Sequence, residues 1–210
     1  MTWLGNNLEL VWARTLAHLA LALPAIAASF LLALPLGGLA ARHRLLRTPI
    51  VSGAALMYAI PSLPLFVVLP ALIGTGVRSS LNVIVALTLY GLALMVPAVA
   101  DALRAVARTH TDAADALGYR PAARFVVVDL PLAGPTLLAG LRVMSVSTVA
   151  LVTVGAVLGV PSLGLLFTDG FQRGITAEIL TGLVMTVALA LVLDGAWVLL
   201  GRLLMPWRHA

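Results

Sequence analysis

Five apolar stretches, at residues 16–41, 50–73, 81–100, 135–158 and 178–200, alternate with short polar connections. Each is about 20 residues or longer, the length a helix needs to cross a ~30 Å hydrocarbon core. Backbone amides find no water inside a bilayer, so helices, whose bonds are internal, are the expected form. The pattern predicts an all-α integral membrane protein of about five transmembrane helices. Proline interrupts two of the runs, Pro24 and Pro35 in the first and Pro61, Pro64 and Pro70 in the second. In a soluble helix each would cost about 3 kcal/mol, whereas packed transmembrane helices tolerate such breaks. Ile60-Pro61-Ser62-Leu63-Pro64 is therefore predicted to form a kink or an unwound turn within the membrane.

Residues 101–134 depart from this pattern. Thr109-His110-Thr111-Asp112 has the spacing of a helix start, with Thr109 as cap and Asp112 reaching back. The helix then meets Gly118, a candidate left-handed stop. Pro121 suits the first turn of a second short helix, Ala122 to Val128. Asp129-Leu130-Pro131 leads back to the bilayer, and Pro135 suits the start of the fourth crossing. The segment reads as a helix-turn-helix on the membrane surface. Its first helix is rich in alanine, which allows another protein to approach its backbone closely.

Composition supports the membrane reading and orients it. The chain of 210 residues is 61% apolar and 10% charged, with a mean hydropathy of +1.09. A soluble domain carries roughly 25% charged residues, so lipid is the outer solvent here. The first apolar run is far longer than a secretory signal's apolar region, and no basic segment precedes it. All 13 basic residues are arginine. Nine of them (Arg42, Arg44, Arg47, Arg104, Arg108, Arg120, Arg124, Arg202 and Arg208) fall on one side of the five crossings. Arg14, Arg78 and Arg173 fall on the other. Basic loops stay cytoplasmic, so the N-terminus is expected outside and the C-terminus inside. Topology thus accounts for the net charge of +5 without a nucleic-acid partner.

The same inventory narrows the chemistry. A nucleotide-binding P-loop needs a lysine, and this chain has none. Cysteine is absent too, and His18, His43, His110 and His209 lack metal-ligand spacing, so neither a metal nor a cofactor is expected. No paired histidines or clustered carboxylates suggest an intramembrane enzyme. Five crossings without an internal repeat argue against an ion-coupled secondary transporter. Residues 1–210 read as a single transmembrane domain without a substrate-binding ectodomain.

Three sets of residues stand out within the spans. Tyr58 and Tyr90 bring aromatic rings with polar tips, which either line a path for a cation or simply pack. Pro61 and Ser62 mark the proposed break, as a structural kink, a gate or both. Arg142 and Asp194 are intramembrane charges, each lying about 10 Å from the cytoplasmic end of its helix. Isolated charges there are costly, so the two are expected to pair, or to take neighbours such as Asp101 or Arg202. Trp3, Trp12 and Trp207 suit the membrane interfaces, and His18 suits an interface or a packed site.

Asp112-Ala113-Ala114, Gly118, Val128 and Leu130-Pro131 resemble the EAA motif of binding-protein-dependent ABC importer permeases of type I. The motif has Glu where Asp112 stands and Ile where Val128 stands. His18, Pro35-Leu36-Gly37, Ile60-Pro61-Ser62-Leu63, Ala139-Gly140-Leu141-Arg142 and Leu193-Asp194 are similar to the osmoprotectant branch of that family. That branch carries glycine betaine, choline, carnitine or proline betaine, and permeases for methionine or another amino acid are the alternative. The resemblance implies that Asp112, Ala113, Ala114 and Gly118 couple the chain to cytoplasmic ATP-binding subunits. It also implies a second permease copy or paralogue, an extracytoplasmic substrate-binding protein and residence in the cell membrane. Where the family tends towards Gly-Ala-Gly-Gly-Leu-Gly, this chain has Gly159-Val160-Pro161-Ser162-Leu163-Gly164.

Overall fold

The structure is a computed structural model that describes residues 2–106 and 108–208; His209 lies outside the described residues. All regular structure among them is helical. A short helix α1 (Thr2–Asn6) precedes the long α2 (Leu8–Arg42). Next come α3 (Arg44–Ala59) and α4 (Ser62–Ile73), then α5 (Ser80–Ala105). The polar segment forms α6 (Arg108–Ala116) and α7 (Pro121–Arg124). A π-helical turn (Phe125–Asp129) joins α7 to α8 (Leu130–Val152), which tightens into a 3₁₀ turn (Thr153–Leu158). Helices α9 (Gly164–Arg173) and α10 (Thr176–Leu204) and a final turn (Pro206–Arg208) complete the chain.

Four helical stretches are long and apolar enough to cross a bilayer: 8–42, 80–105, 121–158 and 176–204. The pair α3 and α4 passes the same test jointly and is bent by 109°, which gives the expected five. The bend falls at Ile60 and Pro61, both extended (ψ 126° and 135°). This is the break that the proline spacing predicts.

Four details differ from the sequence expectation. Helix α2 begins at Leu8 rather than near residue 16, because the weakly polar 8–15 stretch continues the helical pattern. Thr109 is the second residue of α6 rather than its cap. No separate helix ends near Val128, since α7, the π turn and α8 run on as one rod. The π turn absorbs Pro131, whose missing N–H would break an α-helical ladder; Leu130 N–H reaches back to Phe125 O instead. Finally, the connection after residue 160 is not an open loop but contains α9, which folds back on α10 and the 3₁₀ turn.

Helix α5 is the centre of the bundle, packed against α2, α3, α4 and α8. Its approach to α2 depends on Gly91, where an added Cβ would stand 2.1 Å from Ser29 Oγ. The gap admits the Ser29 hydroxyl, which donates to Ala25 O at 2.7 Å and faces Thr88 O at 3.2 Å.

Breaks in helices free carbonyl groups, and in a membrane these need protein donors. Three side chains from neighbouring helices supply them. Pro70 cannot donate to Phe66 O, so Asn82 Nδ2 does, at 2.9 Å. Ile60 lies in the extended break between α3 and α4, and the Tyr90 hydroxyl donates to its O at 2.5 Å. Where α8 tightens, Thr153 N–H turns to Ala150 O and Leu151 O, and His18 Nε2 lies 3.0 Å from the released Val149 O. Asn82 and His18 are fully buried, and Tyr90 nearly so.

Candidate functional site

The polar segment folds into a compact hairpin. Helix α6 ends where Gly118 takes a left-handed conformation, φ +80°, which only glycine adopts without strain. Tyr119 N–H then bonds Ala114 O at 3.2 Å and Gly118 N–H bonds Asp115 O at 3.0 Å, closing the helix end. Arg124 clamps the two arms: Nη1 donates to Asp115 Oδ1 at 2.7 Å, and Nε lies 3.5 Å from Asp129 Oδ2. Arg42, at the end of α2, stacks over the Phe125 ring at 5.5 Å and ties the hairpin to the bundle.

Of the four motif residues, Asp112, Ala113 and Gly118 are exposed, whereas Ala114 is buried inside the hairpin. Alanine suits that inner position because α6 packs closely on the π turn. Sequence reading missed the apolar residues beside them. Leu117 is 79% exposed at the tip, and Tyr119, Val126 and Val127 are exposed as well. Exposed apolar residues in so polar a segment were the available signal.

Within the bundle, Arg142 on α8 and Asp194 on α10 form a two-point pair. Nε donates to Oδ1 at 2.6 Å and Nη2 to Oδ2 at 2.7 Å. Asp101, near the C-terminal end of α5, is instead 3.2 Å from Arg47. Arg142 and Asp194 border a cleft of about 450 Å³ with Ala139, Val143, Val146 and Ser147.

At the break, Tyr58 and Tyr90 meet edge to face, centroids 5.9 Å apart and planes at 84°. Tyr90 is buried and its hydroxyl is engaged by Ile60 O, while the Tyr58 ring is half exposed. Pro61 is exposed and Ser62 opens α4. His18 is a fully buried core residue. Trp12 and Trp207 are half exposed or more, as residues at a membrane interface are. Among the described residues no cluster of potential metal ligands occurs.

These features, several apolar spans and a polar hairpin closed by a left-handed glycine, are those of a multi-pass membrane protein. The chain belongs to the family of binding-protein-dependent transport system inner membrane components, which matches residues 33–206. It is 32% identical over 188 residues to the osmoprotectant import permease protein OsmW of Salmonella typhimurium, covering 88% of this chain and 86% of that one. It is 27% identical over 201 residues to the choline transport system permease protein OpuBB of Bacillus subtilis, covering 96% and 91%. In fold it is similar to a chain of the inward-facing MetNI methionine ABC transporter, with a TM-score of 0.79, 24% identity and 97% of each chain covered. The protein is the membrane subunit of an ABC importer.

Proposed function

We propose that this subunit moves small osmoprotectants bearing a quaternary ammonium, such as glycine betaine, choline or carnitine, into the cell. The observation that supports this most is the 32% identity to an osmoprotectant import permease over 88% of the chain. In this reading a substrate-binding protein delivers the solute, a second permease copy or paralogue completes the route, and separate cytoplasmic subunits bind and hydrolyse ATP. The absence of lysine fits that division of labour. The exposed Asp112, Ala113, Gly118 and Leu117 present the hairpin to the ATP-binding subunits, and buried Ala114 sets its internal spacing. The half-exposed Tyr58, the Pro61–Ser62 break and Tyr90 beneath it are the candidate gate of the pathway.

The orientation follows from the nine arginines against three. If α3 and α4 together cross the bilayer, residues 42–47, 104–124 and 202–208 share the cytoplasmic side, with the N-terminus outside. The native chain has no cysteine, so single cysteines report topology without background. Gly118→Cys is expected to label only after the membrane is opened and Phe171→Cys in intact cells; the reverse would overturn the orientation and the coupling role together. For the substrate, the complete complex in proteoliposomes is expected to take up glycine betaine, choline or carnitine only with ATP inside the ATPase-bearing compartment. Uptake of methionine and of none of the three would replace this reading.

A further inference from the structure

We infer that the face of α8 carrying the Arg142–Asp194 pair lines the water-filled route through the importer, rather than facing lipid. This rests on the importer reading above but not on the identity of the solute.

Three observations carry it. The first is exposure: the Arg142 and Asp194 side chains are 41% and 25% exposed, although both lie within apolar spans. Ionisable groups at such depth turn to the bundle interior or to a water-filled cavity, because lipid cannot solvate them. The second is the company the pair keeps. Thr136, Ala139, Val143, Val146 and Ala150 are exposed along one stripe of α8, at helical spacing, with Ser147 at its edge. Three of the five stripe residues, Thr136, Ala139 and Ala150, are small or polar, and none is larger than valine. Between Leu183 and Val192 on α10, by contrast, five of the six exposed residues are branched aliphatics, Leu183, Val184, Val187, Leu191 and Val192, with Ala188 among them, as suits lipid contact; the small exposed residues Gly195 and Ala196 follow beside Asp194. The third is space: beside the pair is a cleft of about 450 Å³, within the range of small-solute sites.

The pair also suggests which solutes pass. A lone carboxylate or guanidinium in a route would hold its counter-ion, whereas conduction needs binding weak enough to release. A carboxylate and a guanidinium held together compensate each other yet keep the wall polar. That lining suits a zwitterion, whose two ends meet both charges, and disfavours capture of simple ions.

Accessibility to a charged reagent tests this in the assembled complex. Single cysteines at Ala139, Val143 and Val146 are compared with Leu183, Val187 and Leu191, using a methanethiosulfonate reagent carrying a trimethylammonium group. Stripe cysteines are expected to react roughly tenfold or more faster, because only a hydrated thiol ionises. Equal rates on the two helices, in variants that still assemble with the ATP-binding subunits, would overturn the inference. Labelling of the stripe in a complex that imports none of the three osmoprotectants would leave the lining intact and refute only the proposed solute.

Discussion

Arg124 and Arg142 each hold an aspartate at nearly the same distance, 2.7 Å and 2.6 Å, yet the two pairs do different work. The Arg124–Asp115 pair lies in the hairpin, with Asp115 52% exposed, and water competes for both partners. Exposed pairs of this kind contribute about 0–1 kcal/mol. Arg142–Asp194 lies within two apolar spans, where only the cleft beside it offers water and the helices and lipid on its other sides solvate a lone charge poorly. Geometry alone does not separate them; the surrounding solvent does. The hairpin correspondingly depends less on its charges than on the backbone stop at Gly118 and the packing of Ala114.

The largest effect is expected from breaking the inner pair one side at a time. Asp194→Ala should lower the amount of assembled permease and its melting midpoint in detergent more than any hairpin variant. The double variant Arg142→Ala, Asp194→Ala should lose less than the sum of the two singles, since neither charge is then left alone. Strictly additive losses would mean that the pair has no energetic coupling, and the contrast with Arg124 would collapse.

Gly118→Val should come next. Nothing lies within 4 Å of a Cβ built there, so sterics with neighbours are not the issue; the left-handed backbone, φ +80°, is. The strain is of order 1–2 kcal/mol, concentrated at the hairpin tip. Co-purification with the ATP-binding subunits should fall while the melting midpoint of the membrane bundle stays. A variant that still binds them and drives uptake normally would remove the tip from coupling.

The smallest effect should belong to Arg124→Ala: at most about 1 kcal/mol of hairpin stability, read as local hydrogen-exchange protection. It should shrink further as ionic strength rises, because screening shortens to about 3 Å at 1 M salt. A loss as large as that of Asp194→Ala, or one indifferent to salt, would show that the hairpin pair is shielded from water as well.

Much of the molecule was legible in the residue order. The five crossings follow from apolar run length, the bend at Ile60–Pro61 from proline spacing, and the hairpin stop from a lone glycine after an alanine-rich helix. The motif residues Asp112, Ala113, Ala114 and Gly118 were found by their spacing, but spacing does not say which face is inward, and Ala114 is. The continuous rod from Pro121 to Leu158 was hidden because Pro131 and Pro135 look like a boundary. A π turn at Phe125–Asp129 removes the conflict, and a wider turn of this kind leaves no mark in the residue pattern. Helix α9 was hidden because a polar connection reads as a loop until its apolar side finds α10.

What the sequence determined by itself is therefore the solvent, the number of spans, the places where helices must break and the charge asymmetry between the two sides. These depend on local properties: how many consecutive residues lipid accepts, and where a backbone N–H or a Cβ is missing. Only the tertiary structure decided which group answers each break. Asn82 finds Phe66 O, Tyr90 finds Ile60 O, and His18 lies against Val149 O, 131 positions away in the chain. The tertiary structure also decided that Arg142 turns to Asp194 rather than to Asp101, which is taken by Arg47. A freed carbonyl or a lone charge in a membrane demands a partner whatever the sequence separation, and which side chain comes within about 3 Å is settled by how the helices pack.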